Sequence, residues 1–474
     1  MKRRGGSPKA GDWFVPQLPE GFRVRLRPGV TTTGDGRLLV GGSPRTLVEL
    51  GRPAVDGLEE VLTVGDAASA AVAARLLADN LADPVLDPAK GPTEADLTVV
   101  VPAYNSAQSL DRALTALAGG SEVIVVDDAS SDGGATVAVA ERHGVRLIRR
   151  EMNGGPGAAR NTGLRAVRTP LVAFVDADIR VTPTALRGLL AHFADPGLAL
   201  VAPRVVGVVN SPHPRWFERF DSVHSSLDRG TEPAQVADAS AVNWLPGACL
   251  IGRVAALGDG FDESLRVGED LDFVWRLIDS GARIRYDPTV CAEHDTRTTI
   301  GHWLARKTAY GASLGPLSRI HPHRIAAAEF SGPRIPLAAA VALPGWWSVP
   351  IIASVMAHTT VTAARRLPEA TDLACAWGIA TQQFEHTAGR TTDLWLRHWW
   401  PVLLVGLPFS ACLRRAGAVA LIADVVRIGR YHQRGVDATT YLAGARCDDL
   451  AFGLGLWIGA FRGRTLRPLL PRLR

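Results

Sequence analysis

Between Leu97 and Phe193 the chain passes four times from a short, unbroken run of Val, Ile and Leu to a helical pattern: Leu97–Val101 then Ser109–Leu117, Glu122–Val126 then Gly133–His143, Val145–Ile148 then Gly157–Val167, and Leu171–Val175 then Thr184–Phe193. Strands apolar on both sides must be covered on both sides, and helices of this length between them supply the cover, so the pattern predicts a parallel sheet in an α/β fold. In such a sheet ligand chemistry gathers at the carboxyl ends of the strands. The chain has 474 residues, 47% of them hydrophobic and 21% charged. It is therefore globular and too long for one core, which excludes a disordered chain, a fibre and a single small module.

The strand ends carry polar residues. Leu171–Val175 empties into Asp176-Ala-Asp178. Two carboxylates at i and i+2 of an extended segment point the same way, able to meet one hard divalent cation that also holds a diphosphate. Taken alone, this pair reads equally as solvated turn acids. The first strand ends in Val99-Val-Val-Pro102-Ala-Tyr104-Asn105, and the second in Asp127-Asp128-Ala-Ser-Ser-Asp132, acids placed as acceptors for a uracil N–H and ribose hydroxyls. The third is followed by Asn153-Gly-Gly-Pro-Gly157-Ala-Ala-Arg160-Asn161-Thr-Gly163. This is a glycine-rich loop opening a helix whose amides suit phosphate. No G-K-[ST] follows, so it is not a nucleotide-triphosphate loop.

These four motifs in register resemble the catalytic domain of glycosyltransferase family 2, of GT-A fold, over about residues 96–300. The resemblance implies a nucleotide-sugar donor, most often UDP-linked, a Mg²⁺ or Mn²⁺ ion on Asp176 and Asp178, and inversion at the anomeric carbon. It assigns donor binding to Pro102, Tyr104, Asn105, Asp127, Asp128, Asn153, Gly157, Arg160, Asn161 and Asp176. Asn243-Trp244-Leu-Pro-Gly247 and Gly268-Glu269-Asp270-Leu-Asp272 match the family's acceptor loop and acidic segment. Displacement needs a base on the face opposite the leaving diphosphate. Asp270 is the expected base, with Glu269 and Asp272 as alternatives; Trp244, Gly247 and Asp272 are assigned to the acceptor. Trp244 reads either as a sugar-stacking face or as a buried sheet-edge residue. His294, expected after the last strand of the domain, reads either as a third metal or pyrophosphate ligand or as a packing histidine. Trp303-Leu-Ala-Arg-Lys307 lacks the Q-x-x-R-W pattern of processive polymer synthases.

The expected organisation is a loose stretch over 1–15, a small β-plus-helix domain over 16–85, a proline-punctuated linker over 86–95, the transferase domain over 96–325 and a helical, hydrophobic region over 326–474. In the first domain Arg23-Val-Arg-Leu-Arg and Arg37-Leu-Leu-Val read as strands joined by Gly34-Asp35-Gly36, and Leu58–Leu81 as helical with Asp66 as a cap. Residues 20–85 resemble PqqD-like domains that hold peptide precursors, and a plain packing role stays open. The whole arrangement resembles the glycosyltransferases of the mycofactocin system, which add β-linked glucose to a redox cofactor derived from a ribosomal peptide. That implies UDP-glucose as donor and a peptide-derived small molecule as acceptor. A family 2 enzyme of envelope lipid or polysaccharide synthesis is the alternative.

Five scattered cysteines and the absence of an apolar core behind Met1-Lys-Arg-Arg point to a reducing compartment and no signal peptide. The net charge of +5 is slight and gives no ground for nucleic-acid binding, but Arg414 to Arg474 holds eleven Arg against four Asp. Ile335–Ala357 carries no charge and is long enough to span, yet it contains Pro336, Pro344 and Pro350. Two further uncharged runs, Trp399–Leu413 and Leu450–Phe461, are bounded by Arg. Seven of the twelve Trp lie at or beyond Trp346. Broken apolar runs with Trp and flanking Arg suit the membrane interface, so the expectation is a monotopic protein on the cytoplasmic face of the cell membrane.

Overall fold

A computed structural model describes residues 16–33, 38–42, 46–49, 61–238, 240–366, 373–429 and 435–474. The chain divides into two compact units, one of residues 1–210 with 224–296, the other of 211–223 with 297–474. The expected boundary at 325 therefore falls inside the second unit, and the N-terminal segment shares the first unit with the transferase sheet.

The N-terminal strands are β1 (Arg23–Leu26), β2 (Thr31–Thr33), β3 (Leu38–Gly41), β4 (Thr46–Glu49), β5 (Val61–Thr63) and β6 (Ala82–Pro84). The expected β1–β3 hairpin does not form: β3 pairs with β2 and β4, while β1 runs between β5 and β6. Gly34-Asp35-Gly36 and the expected loose stretch 1–15 lie outside the described residues. Asp66 caps the Ala67–Ala78 helix as expected, whereas Val61–Thr63, inside the stretch read as helical, is strand β5. Its Oδ1 accepts from Ser69 N at 2.7 Å, and Ser69 Oγ accepts from Asp66 N at 3.0 Å. This reciprocal box fixes the start. Leu76, Leu77 and Leu81 then pack against Val24 and Leu39.

This segment is tied into the larger sheet. Asn80 is buried and left-handed, with φ +57°. Few non-glycine residues adopt that conformation, and asparagine is among those that tolerate it. Its side chain accepts from Gln235 N at 2.7 Å and donates to Ser240 Oγ at 3.1 Å. Arg283 donates to the Pro16 carbonyl at 2.9 Å, and Arg285 lies 5.9 Å from the centre of the Phe22 ring.

The main sheet comprises β7 (Leu97–Ala103), β8 (Glu122–Asp127), β9 (Arg146–Arg149), β10 (Leu171–Val175), β11 (Ile179–Arg180), β12 (Leu198–Val208), β13 (Ala234–Gln235), β14 (Cys249–Arg253) and β15 (Arg283–Asp295), in order 11-15-12-14-10-7-8-9 with β13 on β15. The half β10-β7-β8-β9 is parallel, as the alternation predicts. The rest is mixed, since β14 runs antiparallel to both β10 and β12. Its reversal matters to the site: Cys249 pairs with Val175, so Gly247 and Ala248 arrive beside Asp176, whose N–H donates to the Ala248 carbonyl at 2.9 Å. The sheet is covered on both faces by separate apolar clusters. The Pro156–Leu164 helix lies flat on β7 because position 163 is glycine; a Cβ there would meet Val100 Cγ1 at 2.2 Å.

The second unit is helical. Trp216–Val223 and Ile300–Ile320 precede Arg334–Ala342, Ser348–Arg366, Leu373–Asp393, Trp400–Gly406, Ala411–Gly429 and Ala438–Arg462. The uncharged run Ile335–Ala357 is split between two helices, interrupted at Leu343–Trp347, where Pro344 and Gly345 break the ladder. Among the described residues no helix is long and apolar enough to cross a membrane.

Candidate active site

The site assembles at the carboxyl ends of β7, β8 and β10. β7 delivers buried Pro102, then Tyr104 at 49% exposure and exposed Asn105. Asn105 is left-handed at φ +47°, as is Ala129 at φ +60°. The two bends are stitched together: Asn105 N donates to Ser130 Oγ at 2.9 Å, and Ser131 N to Asn105 Oδ1 at 2.8 Å. Non-glycine residues in this region mark a backbone held by its surroundings. Here they shape a ledge at the mouth of β7 and β8.

Asp127, the last residue of β8, is fully buried. Its Oδ1 accepts from Ser130 N at 3.0 Å, while Oδ2 accepts no hydrogen bond; Arg149 Nε stands 3.3 Å away without the alignment of one. A buried carboxylate oxygen lacking a donor is costly unless a ligand N–H or O–H meets it. Asp128 has a different task. Oδ1 takes Gly154 N at 3.0 Å and the Arg150 guanidinium, and Oδ2 takes Gly155 N at 2.7 Å, so the acid moulds the glycine-rich loop. Arg266 clamps that loop from outside through the Asn153 side chain and carbonyl. Asn161 is turned inward, donating to the Phe261 carbonyl at 2.8 Å and to Glu263 at 3.0 Å, and accepting from Phe261 N at 2.9 Å. Gly157 packs closely here, since a Cβ would stand 3.3 and 3.4 Å from Phe261 and Glu269.

Strand β10 stops at Val175, so Asp176 and Asp178 stand on a turn closed by Ile179 N donating to the Asp176 carbonyl at 2.9 Å, and not on an extended strand as their spacing suggests. Each side chain is about a quarter exposed, at 26% and 24%. His294 is also displaced from expectation: β15 continues through it, pairing it with Ile179, which sets its Nε2 3.5 Å from Asp178 Oδ2. Among the described residues no three His, Cys, Asp or Glu side chains converge into a closed cation site. Two carboxylates about a quarter exposed, with an imidazole beside Asp178, are nevertheless donors of the kind a Mg²⁺-like ion takes, since it uses one or two protein carboxylates and completes its shell with phosphate and water.

Arg160 joins the two halves of the site. Buried at 2% exposure, it donates from Nη2 to Asp176 Oδ1 at 2.6 Å and from Nη1 to Glu269 Oε1 at 2.8 Å, over the Phe261 ring at 5.2 Å. Burial works against its charge, but the Asp176 and Glu269 carboxylates outweigh burial and hold its pKa above the ordinary arginine value. Glu269 responds differently. Burial pushes its acid up to about 7, the Asp270 charge adds to the rise, and Arg160 pulls it down. Near Asp176, burial also pushes the Cys249 thiol up to about 12. That leaves it an inert packing group.

The Glu269–Asp279 helix starts at left-handed Gly268 and presents three acids in its first turn, where the helix dipole favours them. They separate cleanly. Glu269 faces Arg160, and Asp272, at 1% exposure, is bound by Arg276 Nε at 2.7 Å. Asp270 alone of the three stays half-buried; its Oδ2 accepts from Gly247 N at 2.9 Å and its Oδ1 from Leu271 N at 2.9 Å. Gly247 fits because a Cβ would stand 3.1 Å from Asp270 Cβ and 3.2 Å from Arg160 Nη2. Trp244 is half-buried with the Arg229 guanidinium 4.5 Å over its ring, so one face is already covered. The structure thus brings together Asp176, Arg160, Glu269, Asp270 and Gly247, and keeps Asn161 and Asp272 in packing roles. The Arg160 bridge and the Arg266 clamp have no local signal in the sequence, as their partners lie 109 and 113 residues away.

The family model described as Glycosyl transferase family 2 matches residues 98–258. A pre-mycofactocin glycosyltransferase of Mycobacterium tuberculosis is 37% identical over 97% of this chain and 99% of its own length. The succinoglycan biosynthesis protein ExoO of Rhizobium meliloti is 36% identical over 41% of this chain and 59% of its own. A solved structure of the mannosyltransferase PcManGT from Pyrobaculum calidifontis, in complex with GDP-Man and Mn²⁺, superposes with a TM-score of 0.37 at 22% identity, covering 65% of this chain and 86% of that one. The mixed sheet, its carboxyl-end acids and the full-length similarity lead to one conclusion: the chain is a glycosyltransferase of GT-A fold and belongs to glycosyltransferase family 2.

Proposed function

We propose that the protein transfers glucose from UDP-glucose to a hydroxyl of a peptide-derived redox cofactor precursor, with inversion, giving the β-linked oligoglycosides of the mycofactocin system. The observation that carries the chemistry is the Arg160 bridge, which holds donor-side Asp176 and base-side Glu269 on one guanidinium. The acceptor assignment rests on similarity over nearly all of both chains to a pre-mycofactocin glycosyltransferase.

In this reading Asp127 Oδ2, which is ion-paired with Arg149 but accepts no hydrogen bond, accepts from the nucleobase, while the ledge at Tyr104 and Asn105 flanks it. The acceptor oxygen attacks the anomeric carbon, its proton passes to Asp270, and the bond from that carbon to the diphosphate oxygen breaks with its electron pair leaving on UDP. The Gly247 and Leu271 amides fix the Asp270 carboxylate in direction. Asp176 and Asp178, with His294 alongside, would hold a Mg²⁺ or Mn²⁺ ion, which when bound neutralises charge on the diphosphate. Trp244 offers its uncovered face to the acceptor.

The test is incubation of the full-length protein with UDP-glucose, UDP-galactose or UDP-N-acetylglucosamine and the peptide-derived precursor, read by mass spectrometry. Successive hexose additions from UDP-glucose are expected. Transfer only to a lipid or polysaccharide acceptor would overturn the acceptor assignment and favour the envelope alternative.

A further inference from the structure

Two helices of the second unit are built inside out. In Ala411–Gly429 the buried stripe is Ala416, Gly417, Ala420, Asp424 and Ile428, whereas the outward stripe at the same helical period holds Leu421, Ile422, Val425 and Val426, the last three at 64%, 53% and 61% exposure. Ala438–Arg462 repeats the inversion, burying Asp448 and Asp449 while exposing Leu450, Leu454 and Phe461. A helix packed in water puts its acids out and its aliphatic side chains in. Here both helices bury acids and expose aliphatic side chains, although Tyr441 and Leu456 stay inside in the second.

The buried acids are accounted for. Asp424 is paired with Arg427 at 2.6 Å and Arg446 at 3.0 Å, and Asp448 with Lys307 at 2.7 Å. Ile300–Ile320 and Ala438–Arg462 touch backbone to backbone: a Cβ on Gly315 would lie 2.0 Å from the Gly459 carbonyl oxygen, and one on Gly455 2.0 Å from that of Thr308. Apolar clusters around Trp303, Phe220 and Tyr441 and around Leu456 and Leu469 hold these helices as well, but small residues at the crossing and ion pairs inside leave part of their aliphatic surface facing outward. Beside the Ala411–Gly429 helix, Trp346, at 89% exposure, and Arg415 line an open apolar groove of about 580 Å³ with Pro344, Gly345, Ala418 and Val419.

Charge selects the occupant. Arg414 and Arg415 are exposed at the head of the inverted stripe, and Arg462, Arg464 and Arg467 are exposed at and just beyond the end of the other helix. Of the four Asp between Arg414 and Arg474, three are buried in the ion pairs and Asp437 caps a helix. The outward charge of these segments is therefore almost wholly positive, which repels a second copy of the same face and attracts an anionic one. We infer that this face docks in the plane of an anionic lipid bilayer, with the Leu421–Val426 stripe and Trp346 in the acyl boundary and the Arg residues at phosphate level. Because no described helix is suited to span, the contact is interfacial.

Vesicle sedimentation of the full-length protein tests this without reference to its enzymatic reaction. Binding to phosphatidylglycerol/phosphatidylcholine vesicles is expected, reduced in high salt and at least about tenfold weaker for pure phosphatidylcholine. Ile422→Ser with Val426→Ser should lose binding at any salt, while Arg414→Ala with Arg415→Ala should lose roughly 10- to 30-fold at low salt only. Both variants alter exposed side chains, and unchanged circular dichroism confirms the fold; should the serine pair misfold, the arginine pair decides alone. Failure to bind anionic vesicles, or light scattering that shows a dimer abolished by the serine pair, overturns the proposal.

Discussion

Asp270→Asn separates a base from a structural acid, because the surrounding contacts fix what asparagine can keep. The native carboxylate accepts two amides, Gly247 N on Oδ2 and Leu271 N on Oδ1, both at 2.9 Å. Asparagine has one acceptor oxygen, so one of those amides must face an NH₂ group and lose its bond, at about 1–3 kcal/mol of stability. The chemical loss is larger. A positioned base contributes about 10²–10⁴ in rate, or roughly 3–5.5 kcal/mol at about 1.36 kcal/mol per decade. Steady-state transfer should show kcat down by about 10²–10⁴ with the donor KM within about threefold, because no donor-side group is touched. Glu269→Gln is the internal comparison, as its oxygen still accepts from Arg160 Nη1 and it should retain more turnover. If Glu269→Gln or Asp272→Asn costs more turnover than Asp270→Asn, the reasoning that singles out the half-buried acid is wrong.

Three other outcomes are expected. Glu269, its acid pushed up to about 7, holds its proton more tightly folded than unfolded. Its contribution is therefore fully present below the ordinary carboxylate value and falls away as pH rises from about 4.5 to about 7, by at most about 3 kcal/mol. Hydrogen exchange of the Glu269–Asp279 helix across that window should slope in the native protein and flatten in Glu269→Gln; parallel slopes would contradict the assignment. In isothermal titration, Mg²⁺ or Mn²⁺ should strengthen UDP binding to the native protein but not to Asp178→Asn, and equal strengthening in both would remove Asp178 from the metal site. Gly459→Val places its Cβ 2.4 Å from the Ala312 carbonyl oxygen and must part the two helices. The cost is about 1–3 kcal/mol or more, and a melting temperature equal to that of the native chain would show that the close crossing is not required.

The parallel half of the sheet was legible because its strands are buried on both sides and so read as continuous Val and Ile, with Leu171–Val175 reproduced to the residue. The reversal at β14 was not, since an antiparallel strand buried on both faces has the same composition as a parallel one; its direction is set by the excursion from Asn210 to Ala248. The same blindness made β1 look like the partner of β3, when edge choice depends on which apolar face meets Leu76 and Leu77. Among site residues, each motif was placed by its strand end, but the division of labour was hidden. Asp127 and Asp128 are adjacent in sequence, yet one keeps a buried oxygen that accepts no hydrogen bond and the other is consumed by Gly154, Gly155 and Arg150. Sequence reports the acids and not which of them the loop has already used.

The same distinction explains why Arg160 belongs in the site despite contributing little to stability. A buried guanidinium between two carboxylates recovers roughly what it loses in desolvation, so an apolar replacement of similar volume need not weaken the fold. Its specific effect is geometric. Asp176 ends β10, Glu269 begins a helix far along the chain, and the bonds of 2.6 and 2.8 Å fix their separation to the span of one planar fork. Asp270 follows Glu269 directly and is held against Gly247, which β14 has brought beside Asp176. Asp270 and Asp176 are therefore registered twice, through the side chain of Arg160 and through the backbone of Gly247, and a displacement that loosens one contact is resisted by the other. The in-line transfer proposed above would be sensitive to misplacement on the scale of an ångström, and under that proposal this double registration is what the buried charge supplies.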